Sequence, residues 1–147
     1  MKNENDAEWD ETLIAGLIVT HANLGDAFRE AVLHVTGSGE FLQTLANENS
    51  GTEELTEQIR AALASLNGRE CVVFVDFRAG SCASAAVLAL GDFPNVRILS
   101  GVNLPMLLDF VLRRGDLALD RLVERLLLRG KTAVRKLGSH DSVKGKK

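Results

Sequence analysis

Apolar residues are distributed along this chain in two ways. In places they run unbroken, as in Leu13–Val19 and Cys71–Val75. An unbroken run of strand length predicts a strand buried on both faces. Val96–Leu99 is a shorter run interrupted by Arg97, and the more polar Phe41–Ala46 reads as an edge strand. Elsewhere the apolar positions recur at helical spacing. Leu24, Phe28, Ala31, Val32 and Val35 share one face of a helix from about residue 23 to Thr36, closed by Gly37-Ser38-Gly39. Leu55, Ile59, Ala62, Leu63 and Leu66 share another, opened by the capping box Ser50-Gly51-Thr52-Glu53 and closed by Asn67-Gly68. Ala83, Ala86, Val87 and Leu90 define a helix of small residues that can approach a sheet closely. Leu104, Leu107, Leu108, Val111 and Leu112 follow with Pro105 in the first turn, and a Leu-rich helix is predicted from near Asp116 to about Leu137, with Gly130 as its weak point.

The order β-α-β-α-β-α-β-α-α predicts an α/β fold: three layers, α/β/α, around a mainly parallel four-stranded sheet with C-terminal helices. The two most apolar strands, the first and third, belong in the centre, which gives the order 2-1-3-4. Right-handed crossovers then put the first two helices on opposite faces. The strand order reverses between strands one and three, and such sheets bind ligands at the carboxyl ends of the strands there. Those ends are followed by Thr20-His21 and Asp76-Phe77-Arg78.

Composition narrows the class. With 147 residues, 46% apolar and 25% charged, one core is expected, burying roughly 70% of the unfolded surface without disulfides or metal. Two cysteines make no disulfide framework, and neither has a partner at zinc-ligand spacing, so no metal or cofactor is expected. There is no signal-peptide pattern and no apolar run long enough to span a bilayer. The expectation is a cytoplasmic protein without direct membrane insertion. Charge divides the chain into an acidic leader (1–11), the domain (12–137) and a basic tail (138–147). The tail reads as a solvated end and not a nucleic-acid site, since no RNA-binding aromatic motif or helix-turn-helix accompanies it. Trp9 is a candidate anchor for the leader.

His21 and Asp76 are therefore expected side by side. Neighbouring strands lie about 4.8 Å apart, within hydrogen-bonding reach of two side chains. A carboxylate on one imidazole nitrogen fixes the tautomer and leaves the other nitrogen as nucleophile or base. The small-residue turn Ala79-Gly80-Ser81 then opens a helix whose first N–H groups can hold an anion. Two readings remain open: a phosphoryl group carried on His21, or a structural histidine closing a strand. The other candidates read as structural. His34 lies near the apolar face of its helix, His140 in the polar tail, and Cys82 at a packing position. Gly130-Lys131-Thr132 resembles the end of a P-loop, but Arg125 stands where that motif needs glycine. The Leu-rich stretch 122–128 either covers the sheet or forms a dimer seam.

Residues 13–131 resemble the enzyme IIA domain of the mannose/fructose/sorbose family of the bacterial phosphoenolpyruvate-dependent sugar phosphotransferase system. The resemblance is carried by Ser100-Gly101-Val102-Asn103-Leu104-Pro105-Met106-Leu107, by Val19-Thr20-His21-Ala22-Asn23-Leu24-Gly25, and by Val75-Asp76-Phe77-Arg78-Ala79-Gly80-Ser81. It implies a histidine phosphotransferase in which His21 takes phosphate from the carrier HPr and passes it to a IIB subunit of a membrane-associated sugar transporter. Asp76 would orient His21, and Thr20, Gly80 and Ser81 would bind the phosphate. Members are commonly homodimers. Ala22 replaces the usual glycine, Arg78 an aromatic, Ala79 the first of two glycines and Cys82 a proline. The domain is expected to stand alone, without a IIB domain after it, the basic tail taking the place of the linker in fused members. Two alternatives share the fold: a regulatory phosphoprotein that senses carbon status, and the phosphotransfer subunit of dihydroxyacetone kinase.

Overall fold

Nine elements fill residues 12–48 and 51–138, which the computed structural model describes. The strands are β1 (Ala15–His21), β2 (Gln43–Asn47), β3 (Cys71–Val75) and β4 (Val96–Ser100). The helices are α1 (Leu24–Thr36), α2 (Thr52–Ala64), α3 (Ser81–Leu90), α4 (Leu104–Arg113) and α5 (Leu119–Thr132). All strand pairs are parallel and the sheet order is β2-β1-β3-β4, as the hydrophobic pattern predicts.

The unbroken apolar runs reflect burial on both sides of the sheet. Successive side chains of a strand point to opposite faces. Ile18, Val72 and Phe74 pack beneath α1, α4 and α5 with Val32, Phe110, Leu122 and Leu126. Leu17, Val19, Cys71, Val73 and Val75 pack beneath α2 and α3 with Leu55, Ile59, Cys82, Ala85 and Ala89. The first face is filled by large residues, including Phe74 edge-on to Phe110 with ring centroids 5.2 Å apart. The second uses alanines, which let α3 lie close to the sheet. The helices α1 and α2 do flank opposite faces.

Several boundaries differ from the periodicity. The first strand runs Ala15–His21 and not Leu13–Val19, so His21 is its last residue and not the one after it. In α3 the exposed face includes Val87, because the alanines take the sheet side. In α4 Met106, Leu107 and Phe110 are buried and Leu112 faces solvent. His34 is exposed. The helix α5 ends at Thr132, short of Leu137. Its Gly130 is no weak point but a crossing position: a Cβ there would lie 2.6 Å from Met106 Cε, and Asn103 Nδ2 donates to the Gly130 carbonyl at 3.0 Å. Leu122 and Leu126 are buried in the core, so the Leu-rich stretch covers the sheet. The N-cap of α2 is Gly51, which has no side chain to cap with; Ser50, Trp9, His140 and the charged ends lie outside the described residues.

Candidate functional site

The site lies where β1 and β3 end. β1 pairs with β3 as far as Val19 opposite Val75, then continues for two residues along β2, where His21 pairs with Asn47. That overhang carries His21 to the level of the loop after β3. The pleat then separates two adjacent residues. Thr20 points to the α1 side, fully buried, and its Oγ1 accepts the Gly25 N–H at 2.7 Å. His21 points to the α3 side, and its ring is half exposed.

Asp76 follows β3 directly and meets His21 twice. Its Oδ2 accepts the His21 backbone N–H at 2.9 Å and lies 2.8 Å from Nδ1. Its Oδ1 accepts the Phe77 N–H at 3.0 Å. Burial pushes the Asp76 carboxyl up, but these hydrogen bonds and the charge on the imidazole outweigh it, leaving the group below the usual carboxylate range. A carboxylate only accepts, so in the neutral ring Nδ1 carries the proton and Nε2 presents its lone pair. The Phe77 ring stacks on the imidazole, centroids 5.3 Å apart and 29° between planes, and holds it from one side.

The start of α3 closes the other side. Gly80 is its N-cap, and a Cβ there would lie 2.9 Å from His21 Cε1 and 2.8 Å from Phe77 Cζ. Any side chain there would push the His21 and Phe77 rings aside. Ser81 Oγ lies 3.5 Å from Nε2, and Cys82 Sγ 3.7 Å from Nδ1. Burial, and after it the Asp76 charge, pushes the Cys82 thiol up to about 11. Ala22, just past His21, has φ 51°, a left-handed conformation that alanine adopts at a cost of roughly 1 kcal/mol.

The structure thus brings His21, Asp76, Gly80 and Ser81 together and leaves Thr20 beneath them, tied to α1. Arg78 is exposed, beside an open groove it shares with Val75, Ala83, Val87 and Ile98. Asn47 escaped the sequence reading. It ends an edge strand of ordinary polarity, yet its Nδ2 donates to Ser81 Oγ at 2.5 Å. Only the register, which sets Asn47 opposite His21, marks it. Its Oδ1 is buried with no hydrogen-bond partner among the described residues.

Comparison with known proteins gives the family and the fold. The family described as PTS system fructose IIA component matches residues 16–127. The sorbose-specific EIIA component of the phosphotransferase system of Klebsiella pneumoniae is 23% identical over 114 residues, covering 78% of this chain and 84% of its own. Phosphotransferase system component EIIA from Streptococcus agalactiae superposes with a TM-score of 0.74 at 22% identity, covering 84% of this chain and 97% of its own. The mannose/sorbose-specific IIA subunit from Enterococcus faecalis gives 0.72 at 19% identity, covering 86% and 96%. No helix among the described residues is long and apolar enough to cross a membrane. A parallel sheet ordered 2-1-3-4, with a paired histidine and aspartate at its central strand ends, is thus found in a chain that belongs to the mannose-type enzyme IIA components of the sugar phosphotransferase system.

Proposed function

We propose that the protein is a cytoplasmic phosphocarrier that accepts a phosphoryl group from phospho-HPr on His21 Nε2 and passes it to a IIB subunit for carbohydrate uptake. The observation that carries this reading is the 2.8 Å contact between His21 Nδ1 and Asp76 Oδ2, which leaves Nε2 as the free nucleophile. In the step, an N–P bond forms at Nε2 as the N–P bond to the donor imidazole breaks, and the donor takes back the electron pair. Little covalent chemistry falls to the protein, so positioning and charge stabilisation dominate. With both nitrogens substituted the His21 ring is cationic, and the Asp76 carboxylate stabilises that charge without taking the proton. Ser81 Oγ and the first N–H groups of α3 face the incoming phosphoryl oxygens. Gly80 lets that turn come close, and Thr20 anchors the start of α1 behind it. The same resemblance implies a homodimer, and the open groove along β4 is an apolar face suited to a second copy.

Incubation with phosphoenolpyruvate, enzyme I and HPr should label His21, with the label lost in His21→Ala. Absence of label, or label retained in that variant, would overturn the reading.

A further inference from the structure

Beside its paired carboxylate, the His21 ring has a thiol within reach. One ligand atom from each of His21, Asp76 and Cys82 lies within 4.8 Å of the other two, and Nδ1 is 2.8 Å from Asp76 Oδ2 and 3.7 Å from Cys82 Sγ. A tetrahedral zinc bound through imidazole and thiolate sets nitrogen and sulfur about 3.5 Å apart, from Zn–N near 2.0 Å and Zn–S near 2.3 Å. The observed 3.7 Å between Nδ1 and Sγ is close to this, whereas the 2.8 Å between Nδ1 and Oδ2 must widen to the roughly 3.3 Å that the same tetrahedron sets between nitrogen and oxygen. The three residues come from three elements fixed by the core: the end of β1, the residue after β3 and the first turn of α3. Cys82 is fully buried and the His21 ring half exposed, so the trio lies at the edge of the core and offers three of the four ligands of a tetrahedral zinc.

We propose that His21, Asp76 and Cys82 form a Zn²⁺ site, and that zinc and phosphate exclude each other at His21. The exclusion follows from the tautomer. Zinc takes the Nδ1 lone pair, so the one proton of the neutral ring moves to Nε2, through solvent, and Nε2 has no lone pair left to attack phosphorus. Asp76 Oδ2 now lies on the line of the Nδ1 lone pair, 2.8 Å from Nδ1, so it must swing off this line to admit the metal and ligate it from beside the ring. The thiol proton is the one released, so uptake of one Zn²⁺ frees one H⁺. Imidazole, carboxylate and thiolate together select zinc or cobalt over magnesium or calcium. The sequence hides this site because its ligands stand 55 and 61 positions apart.

The metal half of the proposal stands on its own, and the exclusion half rests on the phosphocarrier reading. Co²⁺, titrated into the full chain as a spectroscopic stand-in for zinc, should saturate at one equivalent with a thiolate-to-cobalt charge-transfer band. The band should vanish and affinity fall at least ~100-fold in Cys82→Ser and in His21→Ala, more than loss of an outer-shell partner costs. Cys71→Ala, at the other cysteine, should keep it. No saturable binding, no thiolate band, or a band that survives Cys82→Ser would overturn the site. Phospho-HPr prepared beforehand is then mixed with the protein with and without one equivalent of Zn²⁺. Zinc should suppress labelling about tenfold or more, and a chelator should restore it. Labelling unaffected by saturating zinc would overturn the exclusion. Failure to label without zinc would instead overturn the phosphocarrier reading and leave the cobalt spectrum to decide the metal site.

Discussion

Asp76 and Asp109 are both nearly buried carboxylates, 9% and 6% exposed, and each holds a half-exposed base, His21 at 41% and Arg125 at 38%. The contacts are alike too, 2.8 Å to the imidazole and 2.9 Å to the guanidinium. Their settings differ. Asp109 and Arg125 join α4 to α5 across the outer layer, where a guanidinium offers donors only and the pair holds two helices in register. Asp76 and His21 sit at the strand ends, where the carboxylate engages one imidazole nitrogen and leaves the second for the chemistry proposed above. Burial and pairing do not by themselves mark a functional carboxylate. What sets Asp76 apart, and makes it the carboxylate we propose as functional, is a partner with two chemically distinct nitrogens, placed where the strand order reverses.

Substitutions that keep shape and remove one feature test this contrast, and the largest effect is expected at the site. Asp76→Asn keeps the volume but loses the charge that fixes the tautomer and stabilises the cationic ring. Transfer from phospho-HPr, followed by quenched-flow labelling, should slow by roughly 10²- to 10⁴-fold, while the melting temperature moves only a few degrees. An unchanged rate would mean that the pair is as structural as the other one.

Next in size is Arg125→Met, which keeps the packed stem and leaves the Asp109 carboxylate buried without its cation. Loss of stability of about 1–3 kcal/mol is expected, read as several degrees in Tm, with the transfer rate where it was. If Arg125→Met slowed transfer as Asp76→Asn does, the two pairs would not be independent.

The smallest effect is in acid. The Asp76 carboxyl lies below its ordinary value of 3.8 in the folded protein. Its contribution to stability is therefore complete above that value and is lost as pH falls through the lower, folded one. Melting curves from neutral pH downward should show the stability advantage of the wild type over Asp76→Asn shrinking only in the acid limb. An advantage that is constant with pH would place the loss in packing instead of charge.

How far the sequence could be read depended on the distance over which each feature is decided. The strands and helices were legible because their patterns are local: Cys71–Val75 is β3 to the residue, and Gly37, with φ 73°, ends α1 as its position after the periodic run suggests. The pairing of His21 with Asp76 was legible because a parallel sheet with these run lengths has few possible orders. Helix faces were less so. Val87 and Leu112 fit the helical period and yet face solvent, because alanines in α3 and Met106 with Phe110 in α4 claim the sheet side. Periodicity says that a helix has an apolar face; the neighbouring layer chooses how wide it is.

The sequence by itself determined the α/β class, the sheet order and the two residues at its central strand ends, since apolar run length and turn chemistry act within a few residues. Only the tertiary structure decided what surrounds them. Thr20 and His21 are adjacent in β1, but the pleat sends the first under α1 and the second against α3. The register put Asn47 on Ser81, and the docking of α3 put Cys82 beneath the imidazole. Those contacts join residues 34 and 61 positions apart, and no local pattern encodes them, because they exist only once the layers have packed.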